Sequence, residues 1–286
     1  MKKKILGALA ALSLFSLAGC QSSQAEEHLK IGVVGDASAD IWEEVADKVA
    51  DQGVDLEVVT FSDYVQPNRA LADGDIDLNA FQHLAFLKEY VEDSGDDFVP
   101  VGYTAISPTF VFAVEGIDSP EDIPEGASVA IPNTVTNAER SFLALQDLGL
   151  LELDPEAGSA PTVDDIEEVK HGLEIVELDP QQVARALGDT DLAIIGSQQT
   201  VDADYDPQDA IYNDVEDSDR EVDPLKKNAI VTLRDRQDDP AILKVVDAYQ
   251  SDDISQLVVD VTADLVAWEE GDDPIGDFDR ALEEDR

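Results

Sequence analysis

From Leu29 onward, short apolar runs alternate with stretches whose apolar residues recur at helical spacing. That alternation restricts the chain to layered α/β folds. Residues 29–34 read as a strand. Residues 40–52 follow as a helix, with Ile41, Val45 and Val49 every fourth residue and Gly53 as the stop. The pattern then predicts a strand over 56–61, a short helix over 67–72 ending before Gly74, and a strand over 76–81. Residues 99–114 are extended and apolar, long enough to pass from one α/β unit to another. A second set follows, with strands over 128–131, 173–178 and 192–195 and helices over 137–148 and 180–187. An acidic segment, 213–223, leads to a strand over 228–233, read as the return crossing. Helices over 240–249 and 254–268, the second capped by Ser251, pack back on the first unit. The expected fold is therefore α/β and two-lobed. Residues 28–108 plus 228–286 form lobe 1, residues 109–227 form lobe 2, and a cleft lies between them, beyond the carboxyl ends of the strands.

The amino terminus is of another kind. Lys2, Lys3 and Lys4 precede an apolar run from Ile5 to Ala18. That run is too short to cross a hydrocarbon core of ~30 Å and reads as a signal sequence, residues 1–19. It ends in Leu17-Ala-Gly-Cys20, a lipoprotein cleavage pattern, and Cys20 is the only cysteine in the chain. A lone thiol in an exported protein fits lipidation better than a disulfide. Residues 20–27 then form a lipidated tether, and two or three acyl chains hold such a protein firmly at a membrane.

The chain carries 18 Lys and Arg against 65 Asp and Glu, a formal charge of −47. The mature body carries about −50, because the leader holds three lysines and no acid. Nucleic acid is excluded as a partner by so acidic a surface, as is any membrane contact except through the lipid. The acids are spread through helices and loops rather than gathered in a tail. This predicts a solvated, salt-adapted surface, since at ~1 M salt a Debye length of ~3 Å screens the mutual repulsion. Asp202, Asp204 and Asp206 have the spacing of a calcium loop, but Pro207 stands where a glycine is required and Asn213 where a bidentate glutamate belongs. No metal site and no cofactor motif is expected.

One segment carries a physical signal for binding. In Ile131-Pro-Asn-Thr-Val-Thr-Asn-Ala-Glu-Arg140, Thr136 and Glu139 have capping-box spacing, so a helix is expected to start at Asn137. Arg140 then lies about one turn in, where exposed amides, the positive helix end and a guanidinium converge on an anion such as an α-carboxylate. The competing reading pairs Arg140 with a neighbouring acid.

The stretch Phe61-Ser-Asp-Tyr-Val-Gln-Pro-Asn-Arg-Ala-Leu-Ala-Asp-Gly-Asp-Ile-Asp-Leu-Asn-Ala-Phe-Gln-His83 closely resembles the first-lobe signature of the methionine-binding lipoproteins (the NlpA-type family), solute-binding components of bacterial ABC importers. The resemblance runs from Leu29 to about Gln250. It implies a type-2 periplasmic-binding-protein fold with two crossover strands and an interdomain cleft, a small amino-acid-type ligand and a transmembrane permease as partner. It further implies that Tyr64, Phe81 and His83 line the pocket, that Asn137 and Arg140 face them, and that Asn228 bonds the polar end of the ligand. Tyr64 and Phe81 would flank a thioether with aromatic faces. Three positions depart from the family pattern: Gly196 replaces a ligand-contacting Asn, and Ser107 and Phe86 replace tyrosines. The Gly196 change predicts room in the pocket and an amide contact to be made up by Ser197, Gln198 or water. The expected function is delivery of methionine or a close relative to an ABC importer. The alternatives are a receptor retuned to a methionine-containing dipeptide or other amino-acid derivative, and a surface lipoprotein without a transport role. An enzyme using the same cleft is disfavoured, since no nucleophile elbow, His-Glu-x-x-His or phosphate loop appears.

Overall fold

The computed structural model describes residues 27–157, 161–218 and 223–284. The expected signal sequence, Cys20 and nearly all of the tether lie outside the described residues, as do residues 219–222 of the acidic segment.

The chain opens with β1 (Glu27–Val34), α1 (Asp36–Ala50), β2 (Val54–Phe61), α2 (Gln66–Asp73), β3 (Leu78–His83), α3 (Leu84–Ser94) and β4 (Phe98–Ile106). Ile41, Trp42, Val45 and Val49 form the buried stripe of α1, as their spacing requires, but the helix starts four residues earlier than expected, directly after Gly35. The backbone breaks at Ser107-Pro108 and re-forms as β5 (Thr109–Ala113). The long apolar run is therefore two strands in two different sheets. Next come β6 (Ser128–Pro132), α4 (Val135–Asp147), β7 (Leu151–Leu153), β8 (Ile166–Val169), β9 (Glu174–Leu178), α5 (Pro180–Ala186), β10 (Leu192–Gly196), α6 (Ser197–Asp202) and β11 (Tyr212–Asn213). The chain returns as β12 (Lys227–Leu233), α7 (Pro240–Tyr249), α8 (Asp252–Val261), β13 (Leu265–Val266) and α9 (Pro274–Glu284).

Six strands form one sheet in the order β13-β4-β12-β3-β1-β2, and five form the other as β11-β5-β10-β6-β9. Within the first, β1 runs parallel to β2 and β3, while β12 is antiparallel to both β3 and β4. In the second, β6 runs parallel to β9 and β10, and β5 is antiparallel to β10. The parallel strands read as continuous apolar runs because both faces are covered. On the first sheet α1, α7 and α8 pack on one face, and α2, α3 and α9 on the other. Ile31, Val33, Ile131, Leu192 and Ile194 are completely buried. The acids stay outside these cores. Among the described residues, Arg140 and Asp214 are the only buried side chains of full formal charge.

Two boundaries need correction. The helix expected over 254–268 ends at Val261, because Leu265 and Val266 leave it to pair with Ala105 and Ile106 on β4. Ser251 precedes α8 without capping it through its side chain: its hydroxyl donates to the Ala248 carbonyl at 2.6 Å and accepts from Lys48. The sequence reading also left out α3 and α9. The latter buries Phe278 in the lobe 1 core, and its Asp277 accepts a 2.6 Å hydrogen bond from Tyr103.

Candidate ligand-binding cleft

The signature between Phe61 and His83 does two jobs. Asn68, Asn79 and Gln82 are buried and bond one another. Asn68 Nδ2 donates to Gln82 Oε1 at 2.9 Å, Asn79 Nδ2 to Asn68 Oδ1 at 3.0 Å, and Gln82 Nε2 to Asn68 Oδ1 at 2.7 Å. A mutually satisfied amide cluster ties α2 to β3 without a buried unpaired group. At the end of β3, Phe81 and His83, two residues apart and so on one face, both line the cleft.

The cleft contains about 1150 Å³ of empty space, its open mouth included, and its lining includes Tyr64, Phe81, His83, Phe86, Ser107, Asn137, Arg140, Gly196 and Asn228, all singled out above. On the lobe 1 side, Tyr64, Phe81 and Phe86 form a three-ring cluster with centroids 5.8, 6.0 and 6.2 Å apart, the Phe86 ring nearly edge-on to the other two. His83 ends β3 and caps α3, its Nδ1 accepting from the Phe86 amide at 3.1 Å. Nε2 therefore carries the proton and lies 3.5 Å from Asn137 Oδ1 on the other lobe. Burial, reinforced by the nearby Arg140 charge, pushes the His83 pKa down to about 3, so the imidazole is neutral at physiological pH. Burial likewise raises the Tyr64 phenol to about 12.

The lobe 2 side is polar. Helix α4 does not begin at Asn137 with a capping box, as expected. It begins at Val135 after Thr134, and Thr136 lies inside the helix with its hydroxyl oxygen buried and unpartnered among the described residues. Asn137 is thus the third helical residue, and its Nδ2 donates to Thr134 Oγ1 at 2.8 Å. Arg140 donates from Nε and Nη2 to Asp214 Oδ2 at 3.0 and 2.8 Å, and from Nη2 to the Ser107 carbonyl at 2.8 Å. The pairing of Arg140 with an acid is thus real, but it is buried and reaches the segment after β11 rather than a neighbour on the helix surface. Nη1 has no protein hydrogen bond among the described residues. Asn228 lies opposite His83 in the sheet and donates to Ser107 Oγ at 2.7 Å, so the residue that replaces a family tyrosine holds the Asn228 amide.

Gly196 ends β10, and the room expected there is filled. A Cβ at this position would lie 2.7 Å from Gln199 Oε1. The Gln199 amide folds back over the strand end and donates across the cleft to the Tyr64 hydroxyl. The two side chains expected to replace the lost amide are engaged elsewhere, Ser197 with Asp264 and Gln198 with the Val34 carbonyl. The sequence reading missed Gln199 because nothing in local spacing shows a side chain turning back past a glycine. A second glycine matters at the rim. Gly35 has φ +86, and a Cβ there would lie 2.4 Å from Asp202 Oδ2 and 2.6 Å from Gln198 Nε2. Only a bare backbone lets α6 of lobe 2 close against the start of α1. Among the described residues no cluster of His, Cys, Asp and Glu could hold a metal ion, and no helix is long and apolar enough to cross a membrane.

The chain matches the family model described as NlpA lipoprotein over residues 29–267, which carries the likeness beyond Gln250 to the end of the last sheet strand. It is 41% identical over 260 residues to the D-methionine-binding lipoprotein MetQ of Salmonella typhimurium, covering 88% of this chain and 93% of that one. Two solved structures share the architecture. One is a nutrient-binding protein from Burkholderia cenocepacia bound to methionine, with a TM-score of 0.77 at 34% identity over 84% of this chain and 100% of that one. The other is the substrate-binding protein of a methionine transporter from Streptococcus pneumoniae, with a TM-score of 0.77 at 33% identity over 84% of this chain and 96% of that one. With a family match over nearly the whole described chain and the two-lobed fold shared, the chain belongs to the NlpA lipoprotein family.

Proposed function

We propose that this protein is a lipid-anchored solute-binding protein that captures methionine or a close relative in its cleft and presents it to an ABC importer. The observation that carries this reading is the division of the cleft. An aromatic cluster on lobe 1 suits an apolar, sulfur-bearing side chain at ~0.3–1.5 kcal/mol per ring contact. Asn137 and Arg140 on lobe 2 suit a carboxylate, with the Arg140 guanidinium held by Asp214 and Ser107 and Nη1 left for the ligand. A ligand touching both walls favours the closed state, and the permease would read that state. The related proteins named for methionine support the ligand class. The filled space beside Gly196 favours a single amino acid over a dipeptide. Residues 1–19 would direct export and Cys20 would carry the lipid.

The test is calorimetric titration of refolded, ligand-stripped protein with L-methionine, D-methionine, Gly-Met and leucine. Saturable binding of either methionine enantiomer, with leucine much weaker, is expected. Binding of the dipeptide alone would show a retuned receptor, and silence across the panel would overturn the reading.

A further inference from the structure

The mature chain is crowded with carboxylates, yet one of them stands apart by position. Asp264 lies between α8 and β13 and lines the cleft. The antiparallel pairing of Leu265 with Ile106 sets Asp264 beside Ser107 at the crossover. Its Oδ1 accepts from the Ser197 hydroxyl, so one lobe 1 carboxylate is bonded by a lobe 2 side chain. Ser107 Oγ accepts from Asn228 Nδ2, which leaves its own proton to give, and Asp264 is the carboxylate it reaches. Among the described residues no Lys or Arg comes within ion-pair distance of Asp264. Burial disfavours its charge, and the hydroxyl donors together with the Arg140 charge only partly offset that. A half-buried carboxylate that lacks an ion-pair partner and lines the cleft is stabilised most by a cation that arrives with the ligand.

We propose that Asp264 is the acceptor for the α-ammonium group of the ligand. It would be a specificity-determining residue that, with Arg140 at the other end, requires a ligand bearing both a free amino group and a carboxylate. This rests on the amino-acid-binding reading above and adds to it. The two serines hold the carboxylate in place. Ser197 comes from lobe 2, so the contact that orients Asp264 forms only as the lobes close, and recognition of the ammonium group is tied to closure.

The test compares L-methionine with its desamino analogue, 4-(methylthio)butanoate, on full-length protein in detergent, wild type and Asp264→Asn. Fluorescence of Trp42, which lines the same cleft and stacks on Tyr249 with centroids 4.8 Å apart, reports binding. Wild-type protein should favour methionine over the analogue by roughly 10- to 100-fold, the size of a charge-assisted bond. Asp264→Asn should lose most of that preference by weakening methionine alone. Wild-type protein that binds both acids within about threefold, the scale of a solvated contact, overturns the proposal without recourse to any variant. So does a folded Asp264→Asn protein that keeps the full preference. If methionine fails but another α-amino acid binds, the same comparison is run on that acid and its desamino form. If no α-amino acid binds the wild type, the amino-acid reading falls and the role of Asp264 falls with it.

Discussion

The two walls of the cleft are built on opposite principles. Apart from Asp264 beside the crossover, lobe 1 presents Tyr64, Phe81, Phe86 and a neutral His83, rings that carry no charge at neutral pH, with Phe86 edge-on to Tyr64 and Phe81. Lobe 2 presents Arg140, pinned by Asp214, with Asn137, Ser197 and Gln199 around it. In the proposed function the aromatic wall would select by shape and area, and its contacts could be exchanged ring by ring at modest cost. The polar wall would select by charge geometry, and its central pair is buried on both sides, with side chains 6% and 3% exposed. Such a pair tolerates little change, because removing Arg140 leaves the buried Asp214 with only the Thr109 amide and the more distant Lys226 to offset its charge. On the proposed binding mode, the side chain of the ligand would be the adjustable part of the specificity and its backbone the constant part.

The largest test of this contrast is Arg140→Ala. It should cost about 3 kcal/mol of folding stability, the low end for a buried pair, because Asp214 keeps only the Thr109 amide and the Lys226 ammonium 3.8 Å away, and more than tenfold in ligand affinity. Denaturant unfolding and calorimetry measure the two. Adding Asp214→Ala should return much of the stability and none of the binding. A single variant of normal stability would show that the polar wall is no more constrained than the aromatic one.

Next is a pH effect confined to lobe 1. Below the unfolded-state value of 6.5, the unfolded chain protonates His83 while the folded one, at about 3, does not. Stability therefore falls as pH drops through that window, with up to about 2 kcal/mol of the loss between pH 7 and pH 5 due to His83. His83→Gln should remove this share of the slope, as thermal melts across pH would show. An unchanged slope would mean the imidazole is solvated in solution.

Phe86→Ala should weaken ligands with large apolar side chains by about 1–2 kcal/mol and leave alanine unaffected. An equal loss for both would mean that the rings hold the scaffold rather than the ligand. Gly196→Asn should displace the Gln199 amide and forfeit its bond to Tyr64, about 0.5–1.5 kcal/mol. In that background Tyr64→Phe should cost nothing further, which a double-mutant cycle would reveal. Salt separates surface from cleft. Molar salt should raise the melting temperature by screening the acidic surface, while ligand affinity at the buried pair changes little. Identical melting at low and molar salt would remove the case for salt adaptation.

Much of this was legible in one dimension, for physical reasons. Parallel strands covered on both faces must be apolar throughout, so β1, β6 and β10 announced themselves, and the α1 stripe followed from helical spacing alone. Tyr64, Phe81 and His83 were found through a run that resembles a family, Asn228 through the wider resemblance, and Asn137 and Arg140 also through an expected helix start, and the structure brings all six to one cavity. Partners distant in the chain were not legible. Asp214 lies 74 residues from Arg140, and the segment between them shows no periodicity that points to the pairing. Helix α9 was missed because its apolar residues matter only once Phe278 has a core to enter. The start of α4 was misplaced because Thr134 and Thr136 both precede suitable residues, and only the backbone geometry distinguishes them. Composition and local periodicity act over a few residues, and they decided the layers, the lobes and the acidic exterior. Which side chains face each other across the cleft depends on two crossovers and, at two of the contacts, on Gly35 and Gly196. The energy of those contacts exists only after the lobes have met, so Gln199 over Gly196 and Asp264 beside Ser107 were settled by the tertiary structure.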